Sequence, residues 1–425
     1  MYIVYNLFTY LLIIPFSLYW IIKGISNRAY FDRLGQRFGL GFPEFSSSIW
    51  IHAVSVGEVQ ASSPLVFALL KKFPKQQIII TTVTPTGASR VAKLFGESVQ
   101  HCYVPFEFPN AINSFFKSIK PKAAMIIETE IWPNLFRGCG LRSIPLILVS
   151  ARISHSSVPS YRKLLPLIRE TLSHGIIIAA QSQADANRFL ELGANIKQTY
   201  VTGNIKFDIE SDRAILKHGR ELKNNFFKGR QAWIAASTHE GEERIILDAH
   251  RILLKKYPDL LLIIAPRHPE RFSGVKKLIK DSLFKVSSRT DNELNNDHEV
   301  FLLDTMGEVP LFLAVSDISF IGGSLVPIGG HNILEPAAQG LPIFIGPHFY
   351  NSEEVVREFI KNSACKVVED KIQLATDISD LLINPDKAKN MGQRSLKLVS
   401  KNKGSTERLL ALAIPILENN QKSKD

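Results

Sequence analysis

Ile49-Trp50-Ile51-His52-Ala53-Val54-Ser55-Val56-Gly57-Glu58-Val59 runs from a short apolar, β-branched stretch through a small-residue turn into a helical pattern that continues to Lys72. A strand that hands over to a helix in so few residues opens a unit whose strands lie parallel, with helices on both faces. Outward from there the alternation recurs. Strands are expected at 49–52, 77–82, 124–127, 146–149 and 176–179, with helices at 59–72, 87–95 and 184–192. The pattern lapses in a polar segment at 204–220. It then restarts with strands at 233–236, 261–265, 300–303, 318–321 and 343–345, and helices at 242–257 and 309–316. A last helix at 406–418 runs into a polar tail. This is an α/β chain of two doubly wound domains, 25–210 and 211–425, facing across a cleft, with ligands expected at the C-terminal ends of the strands.

Composition bounds the partners. The 425 residues are 45% hydrophobic and 21% charged, which excludes disorder and supplies material for two large cores. Fifty-one Lys and Arg against 40 Asp and Glu favour anionic partners such as phosphates or an acidic membrane leaflet. The basic residues are dispersed and not gathered in an aromatic-interleaved stripe, so nucleic acid is not expected as a partner. Cys102, Cys139 and Cys365 are too far apart for a C-x-x-C site, and neither a disulfide framework nor a zinc site is expected.

Residues 2–22 carry no charged side chain, and Lys23, Arg28, Arg33 and Arg37 follow. At about 1.5 Å per residue such a helix approaches the roughly 30 Å of a hydrocarbon core. No basic segment or cleavage site of a secretory signal precedes it. A membrane anchor is therefore expected over 1–24, with the basic collar and the domains on the cytoplasmic side of the inner membrane. Asn6, Thr9 and Pro15 interrupt the run, so the helix is tilted, kinked or partly inserted; a buried core helix is the alternative.

Polar residues at strand ends mark the candidate site. Glu58 begins a helix, where a carboxylate either complements the helix dipole or acts as a general base. Glu128 and Glu130 close an apolar strand in E-T-E-I-W-P-N, either as paired acids or as a cap before the helix led by Pro133. Lys206 in G-N-I-K-F-D is a point charge for an anion, or a solvated surface lysine. In the second half, S-T-H-E-G-E at 237–242 offers hydroxyls and N–H groups to an anion. Pro266 and Arg267 close the next strand, and the Arg267 fork suits phosphate. Gly307 and Glu308 precede another helix. Gly322-Gly323-Ser324 and Gly329-Gly330-His331-Asn332-Ile333-Leu334-Glu335 form a glycine-rich loop whose helix start attracts phosphate, while Glu335 is placed to meet ribose hydroxyls. The loop matches neither G-x-x-x-x-G-K-[ST] nor G-x-G-x-x-G.

Taken together, V-S-V-G-E at 54–58, E-T-E-I-W-P-N at 128–134, G-N-I-K-F-D at 203–208, S-T-H-E-G-E at 237–242, A-P-R-H-P-E-R at 265–271 and G-G-H-N-I-L-E-P-A-A at 329–338 resemble the 3-deoxy-D-manno-octulosonic acid (Kdo) transferases over nearly the whole chain. The resemblance implies a GT-B glycosyltransferase of two Rossmann-like domains that moves Kdo from CMP-Kdo to lipid IVA, with inversion and no metal or cofactor. It assigns Glu58 as the general base and Glu128 and Lys206 to transition-state stabilisation. Pro266, Arg267, Gly307, Glu308, Val309, Asn332, Ile333, Leu334 and Glu335 are the positions it assigns to the CMP portion of the donor. Three positions in two segments depart from the family pattern. His155 and Ser156 in A-R-I-S-H-S-S replace a Glu–Arg pair, and Ile333 stands where the family has Pro. Rival readings are a GT-B transferase using a UDP-sugar, and a non-catalytic, membrane-peripheral protein that binds nucleotide or phospholipid.

Overall fold

The stretch that begins at Ile49 is a fully buried strand, Ser48–His52 (β1), inside a seven-stranded sheet. In the computed structural model, which describes residues 1–154, 157–208, 213–225, 227–291 and 298–422, the chain forms two units, residues 1–208 with 402–425 and residues 209–401. The first sheet adds Gln77–Thr82 (β2), Gln100–Tyr103 (β3), Pro121–Ile127 (β4), Leu146–Ala151 (β5), Ile177–Ala180 (β6) and Thr199–Val201 (β7), in the order β3-β2-β1-β4-β5-β6-β7. The paired strands are parallel; Trp50, for example, lies between Ile79 and Ala124. Successive side chains leave opposite faces. Trp50, Ile79 and Ala124 pack with Phe115, Phe116 and Phe136, while Ile49, Ile51, Ile78 and Met125 pack with Leu65, Val66 and Leu69 of helix Val56–Lys72.

The second unit repeats the plan. Ala232–Thr238 (β8), Leu261–Pro266 (β9), Val286–Ser288 (β10), Val300–Leu302 (β11), Ile318–Ile321 (β12), Ile343–Ile345 (β13) and Cys365–Val367 (β14) pair in parallel in the order β10-β11-β9-β8-β12-β13-β14. Trp233, Leu262, Ile264 and Phe320 pack with Ile246, Leu247 and Leu253 of helix Glu242–Leu254. In both sheets the strand order reverses next to the first strand, between β1 and β4 and between β8 and β12. Connections diverge there and leave a crevice at the carboxyl ends of the strands, where ligands bind in such folds.

Two expectations need correction, and a third lies outside the described residues. The last helix, Ser405–Lys422, belongs to the first unit and not to a second domain reaching 425. Leu409, Ala413 and Leu417, four residues apart on one helical face, fill the first unit's core. The expected boundary at 210/211 lies outside the described residues, and the polar segment after it is helical over Arg213–Asn225. The second correction concerns the anchor. It is not one helix but two, Tyr2–Leu11 and Ile13–Ser26, bent by 44°, and among the described residues no single helix is long and apolar enough to cross a membrane. Pro15, three residues past the break at Leu12, lacks an N–H and crowds the carbonyl one turn back.

The pair is inverted relative to a simple apolar rod. Its polar residues dock on the first unit: the Tyr2 hydroxyl donates to Pro133 O at 2.9 Å, the Tyr5 hydroxyl to Glu107 Oε2 at 3.0 Å, and Asn134 Nδ2 to Asn6 Oδ1 at 2.8 Å. Its aliphatic residues point outward, with Ile3 86% and Ile25 75% exposed. Arg37, expected in a basic collar, is instead buried, its guanidinium 3.8 Å from the Trp20 ring and 4.4 Å from Tyr103. Arg33 lies over Tyr103 and donates to His101 O. Cation–aromatic contacts thus fasten the helix pair to the body.

Candidate functional site

Loops at the two reversal points hold most of the residues singled out above. In the first unit, β1 ends at His52 and helix Val56–Lys72 begins three residues beyond Ala53, with Ser55 as N-cap and Glu58 as its third residue. Glu58 Oε2 accepts from the Val54 N–H at 2.7 Å, and Ser55 Oγ donates to Oε1 at 3.3 Å. The carboxylate therefore does serve the helix start. Burial, and next the negative charge of Glu128, push it up from 4.5 to about 8; Glu130 adds to the rise, while the Val54 N–H and Lys206 oppose it.

Glu128 follows β4 directly, on the other side of the reversal. Its φ of +61°, left-handed for a residue with a side chain, turns the chain sharply out of the strand. Two cations grip its carboxylate: Lys206 Nζ at 2.5 Å from Oε1 and Arg152 Nε at 3.1 Å from Oε2. Burial raises its pKa, yet these partners outweigh it and the net direction is down. Lys206 is set by a one-turn helix, Ile205–Phe207, where Asn204 Oδ1 accepts from the Lys206 N–H and Ser150 Oγ accepts from Ile205 N–H. Glu130 accepts from Trp132 Nε1 at 2.6 Å, and burial raises its pKa. Glu58, Glu128 and Lys206 thus form one electrostatic cluster: an acid held ionised beside an acid pushed toward its neutral form. Such divergent pairs are what acid–base chemistry requires.

Arg152 carries no signal of its own in the sequence; its charge partner Glu128 lies 24 positions away, which no spacing pattern reveals. His155 and Ser156 lie outside the described residues. Also in the first unit, buried Glu107 accepts from Asn134 N–H at 2.7 Å and Leu135 N–H at 3.0 Å, capping helix Pro133–Gly140, and burial lifts it to about 7.

In the second unit the loops after β8, β9, β11 and β12 are neighbours in the sheet. Pro266 ends β9 buried, and Arg267 follows with its N–H on Thr238 O. Among the described residues the Arg267 guanidinium has no ion pair. The Gly322-Gly323-Ser324 part of the glycine-rich loop needs correction as a phosphate cradle. Buried Glu242 already accepts from the N–H groups of Gly323 at 2.7 Å, Ser324 at 2.9 Å and Leu325 at 2.8 Å, as well as His239 at 2.9 Å. Thr238 Oγ1 and both Arg271 nitrogens go to buried Glu243. These groups hold the loop's shape and are unavailable to a ligand. Glu242, last residue of S-T-H-E-G-E, is the positioning residue that the sequence reading missed.

Gly307 takes φ +89°, and Glu308, ahead of helix Val309–Val315, is gripped by Arg289 Nε and Nη2 at 3.0–3.2 Å and by Thr305 Oγ1. Asn332 Oδ1 accepts from Leu334 N–H at 3.0 Å, and Asn332 Nδ2 reaches Glu335 Oε1 at 3.3 Å. Ile333 and Leu334 are buried, so only their backbone is open to a ligand. His239 and His331 meet between the loops after β8 and β12.

Residues 32–209 match a family model described as 3-deoxy-D-manno-octulosonic-acid transferase (kdotransferase), and residues 229–398 match glycosyl transferases group 1. The chain is 39% identical over 405 residues to the 3-deoxy-D-manno-octulosonic acid transferase of Haemophilus influenzae, covering 94% of this chain and 95% of that one. It is 31% identical over 395 residues to the Bordetella pertussis enzyme of the same name, covering 90% of each. In fold it is similar to UDP-GlcNAc 2-epimerase from Neisseria meningitidis bound to UDP-GlcNAc, with TM-score 0.54 and 17% identity over 86% of this chain and 100% of that chain. That likeness shows the fold alone, two Rossmann-like domains of GT-B type. The full-length identities, the family model over the first unit and the glycosyltransferase model over the second together show that the chain belongs to the 3-deoxy-D-manno-octulosonic acid transferase family of glycosyltransferases.

Proposed function

We propose that this Kdo transferase takes its sugar from CMP-Kdo and passes it to lipid IVA with inversion, using Glu58 as general base. The observation that carries the reading is the cluster at the β1/β4 reversal. An acceptor hydroxyl is a weak acid, and a carboxylate raised to about 8 is a stronger base than an ordinary one. Glu58 takes the hydroxyl proton as the oxygen attacks the anomeric carbon; the bond to the phosphate oxygen breaks and CMP leaves with its electron pair. Lys206, clamped on Glu128, stabilises charge near the attacking group, and Arg267 stabilises charge growing on the phosphate. Pro266, Gly307, Glu308, Val309 and Asn332 to Glu335 line the nucleotide side in this reading.

In the same reading the bent N-terminal pair holds the enzyme on the cytoplasmic face of the inner membrane, and what supports this is its apolar exterior. Its outward aliphatic face includes Ile3, Leu7, Leu11, Ile14, Ile22 and Ile25. Each such side chain removed from water contributes about 1.5–3 kcal/mol, enough in sum for an interfacial helix pair to hold a protein on a bilayer.

Incubation of purified protein with CMP-Kdo and lipid IVA, followed by mass spectrometry, tests the whole reading. A product heavier by Kdo supports it; unchanged lipid IVA with active control enzyme defeats it. A UDP-sugar reading is separated by competing CMP against UDP for the free protein.

A further inference from the structure

His239 and His331 stand on the loops after β8 and β12, the strands that flank the reversal in the second unit. Their Nε2 atoms are 2.7 Å apart, with ring planes within 10° and centroids 5.0 Å apart. At that distance one nitrogen donates and the other accepts, so a single proton lies between the rings and each ring's Nδ1 faces away from the shared bond. Among the described residues neither Nδ1 has a hydrogen-bond partner. Gly323 makes room for the pair: its φ is +70°, and a Cβ there would lie 3.0 Å from His331 Cδ2 and 3.5 Å from His239 Cδ2.

The surroundings are cationic. Arg267, His268 and Arg271 act on His239, opposed by Glu243, which Arg271 and Thr238 already occupy. Burial first, then His239, Arg267 and His268, depress His331 to about 4. The ring that accepts at Nε2 carries its own proton on Nδ1, so one outward N–H near the Arg267 charge is left to donate to an anion beyond the phosphate diester.

We propose that the His239–His331 pair receives the carboxylate of an acidic sugar nucleotide and so selects an ulosonic acid over a neutral sugar. The inference rests on the CMP-Kdo reading and deepens it. In such a donor the carboxylate and the phosphate oxygen are attached to the same anomeric carbon, so their receptors must be neighbours. Arg267 meets the phosphate; the paired imidazoles, within reach of its charge, meet the carboxylate. A neutral sugar leaves the outward imidazole N–H and the nearby guanidinium charge without a matching anion, and specificity follows from that mismatch.

Calorimetry of the full-length wild type, His239→Ala and His331→Asn with CMP and with CMP-Kdo tests this. CMP carries the phosphate without the carboxylate, and its retained binding also shows that a variant is folded. The expected result is CMP affinity within twofold of wild type, with CMP-Kdo affinity reduced tenfold or more. Equal loss for both ligands assigns the pair to the phosphate and overturns the proposal. So does unchanged CMP-Kdo affinity. Wild-type protein that binds UDP and neither cytidine ligand overturns the donor reading itself, and this inference with it.

Discussion

Glu128 and Glu58 stand on the two strand ends that flank one sheet reversal, and the first, held ionised by Lys206 and Arg152, is second only to burial in lifting the second to about 8. A general base there is ionised only at the alkaline end of the neutral range. With lipid IVA and CMP-Kdo, kcat/KM should rise with pH and level off above about 8. Glu58→Gln should lower kcat by at least 100-fold with CMP affinity unchanged by calorimetry. Near-normal turnover in that variant would rule Glu58 out as the base.

The same shift has a stability consequence of opposite sense to the usual carboxylate. Between pH 4.5 and about 8 the folded chain keeps a proton that the unfolded chain has released, so Glu58's contribution is full below 4.5 and is lost as pH rises through 8. Glu58→Gln should match wild type near pH 4.5 and exceed it by roughly 1–3 kcal/mol at pH 9, once solvent at a part-exposed site is allowed for. Urea unfolding at the two pH values checks the sign.

Removing the charge of Glu128 should act on its neighbour. Glu128→Gln takes away the second-largest cause of the Glu58 rise, and the activity midpoint should move toward acid by about one unit. Lys206→Ala should move it the other way, because Lys206 lowers Glu58. Glu128→Ala should also cost about 2–4 kcal/mol, since two part-buried cations lose one partner. A midpoint that stays fixed in both variants would separate Glu58 from this cluster.

Glu242 holds four backbone N–H groups from a buried position. Glu242→Ala leaves all four without a partner and should cost about 3–5 kcal/mol, with CMP binding lost as the loop relaxes. Glu242→Gln keeps one acceptor oxygen and should fall between. Thermal unfolding with and without CMP distinguishes these results.

Deleting residues 1–22 should reduce flotation with anionic lipid vesicles, but release is not its sole effect. The truncation takes Tyr5 from Glu107 and Trp20 from Arg37, leaving a carboxylate and a guanidinium with less support in the core. The truncated protein should be less stable than Ile3→Ser/Leu7→Ser/Ile25→Ser, which alters only outward positions. Equal unfolding midpoints would show that the docking contacts contribute little.

The central strands were legible because they are buried on both faces and read as unbroken apolar runs, as in Ile49-Trp50-Ile51 and Leu261-Leu262-Ile263-Ile264. The strands left out of the reading, β3, β7, β10 and β14, are the four sheet edges. Thr199–Val201 and Cys365–Val367 are three residues long and partly exposed, too short and too mixed for periodicity to register. Site residues carried on strand-end motifs, such as Glu58, Glu128 and Arg267, were legible for a related reason: the reversal fixes which loops meet. Arg152 and Arg289 were not, because each is defined by a partner carboxylate distant in sequence. Within the glycine-rich loop the amides of Gly323, Ser324 and Leu325 are closed to a phosphate because Glu242, sitting in a motif of its own, reaches them first.

The helix Ser405–Lys422 makes the second unit an insertion within the first. Asp208, where the chain leaves, accepts from the N–H groups of Gly404 and Ser405 at 2.7 and 3.3 Å, and from Thr406, where it returns. The two crossings are thus pinned side by side. A gene that skips codons 209–401 with a few-residue splice would encode the first unit whole, whereas one that merely stops at 208 would leave its core without Leu409, Ala413 and Leu417.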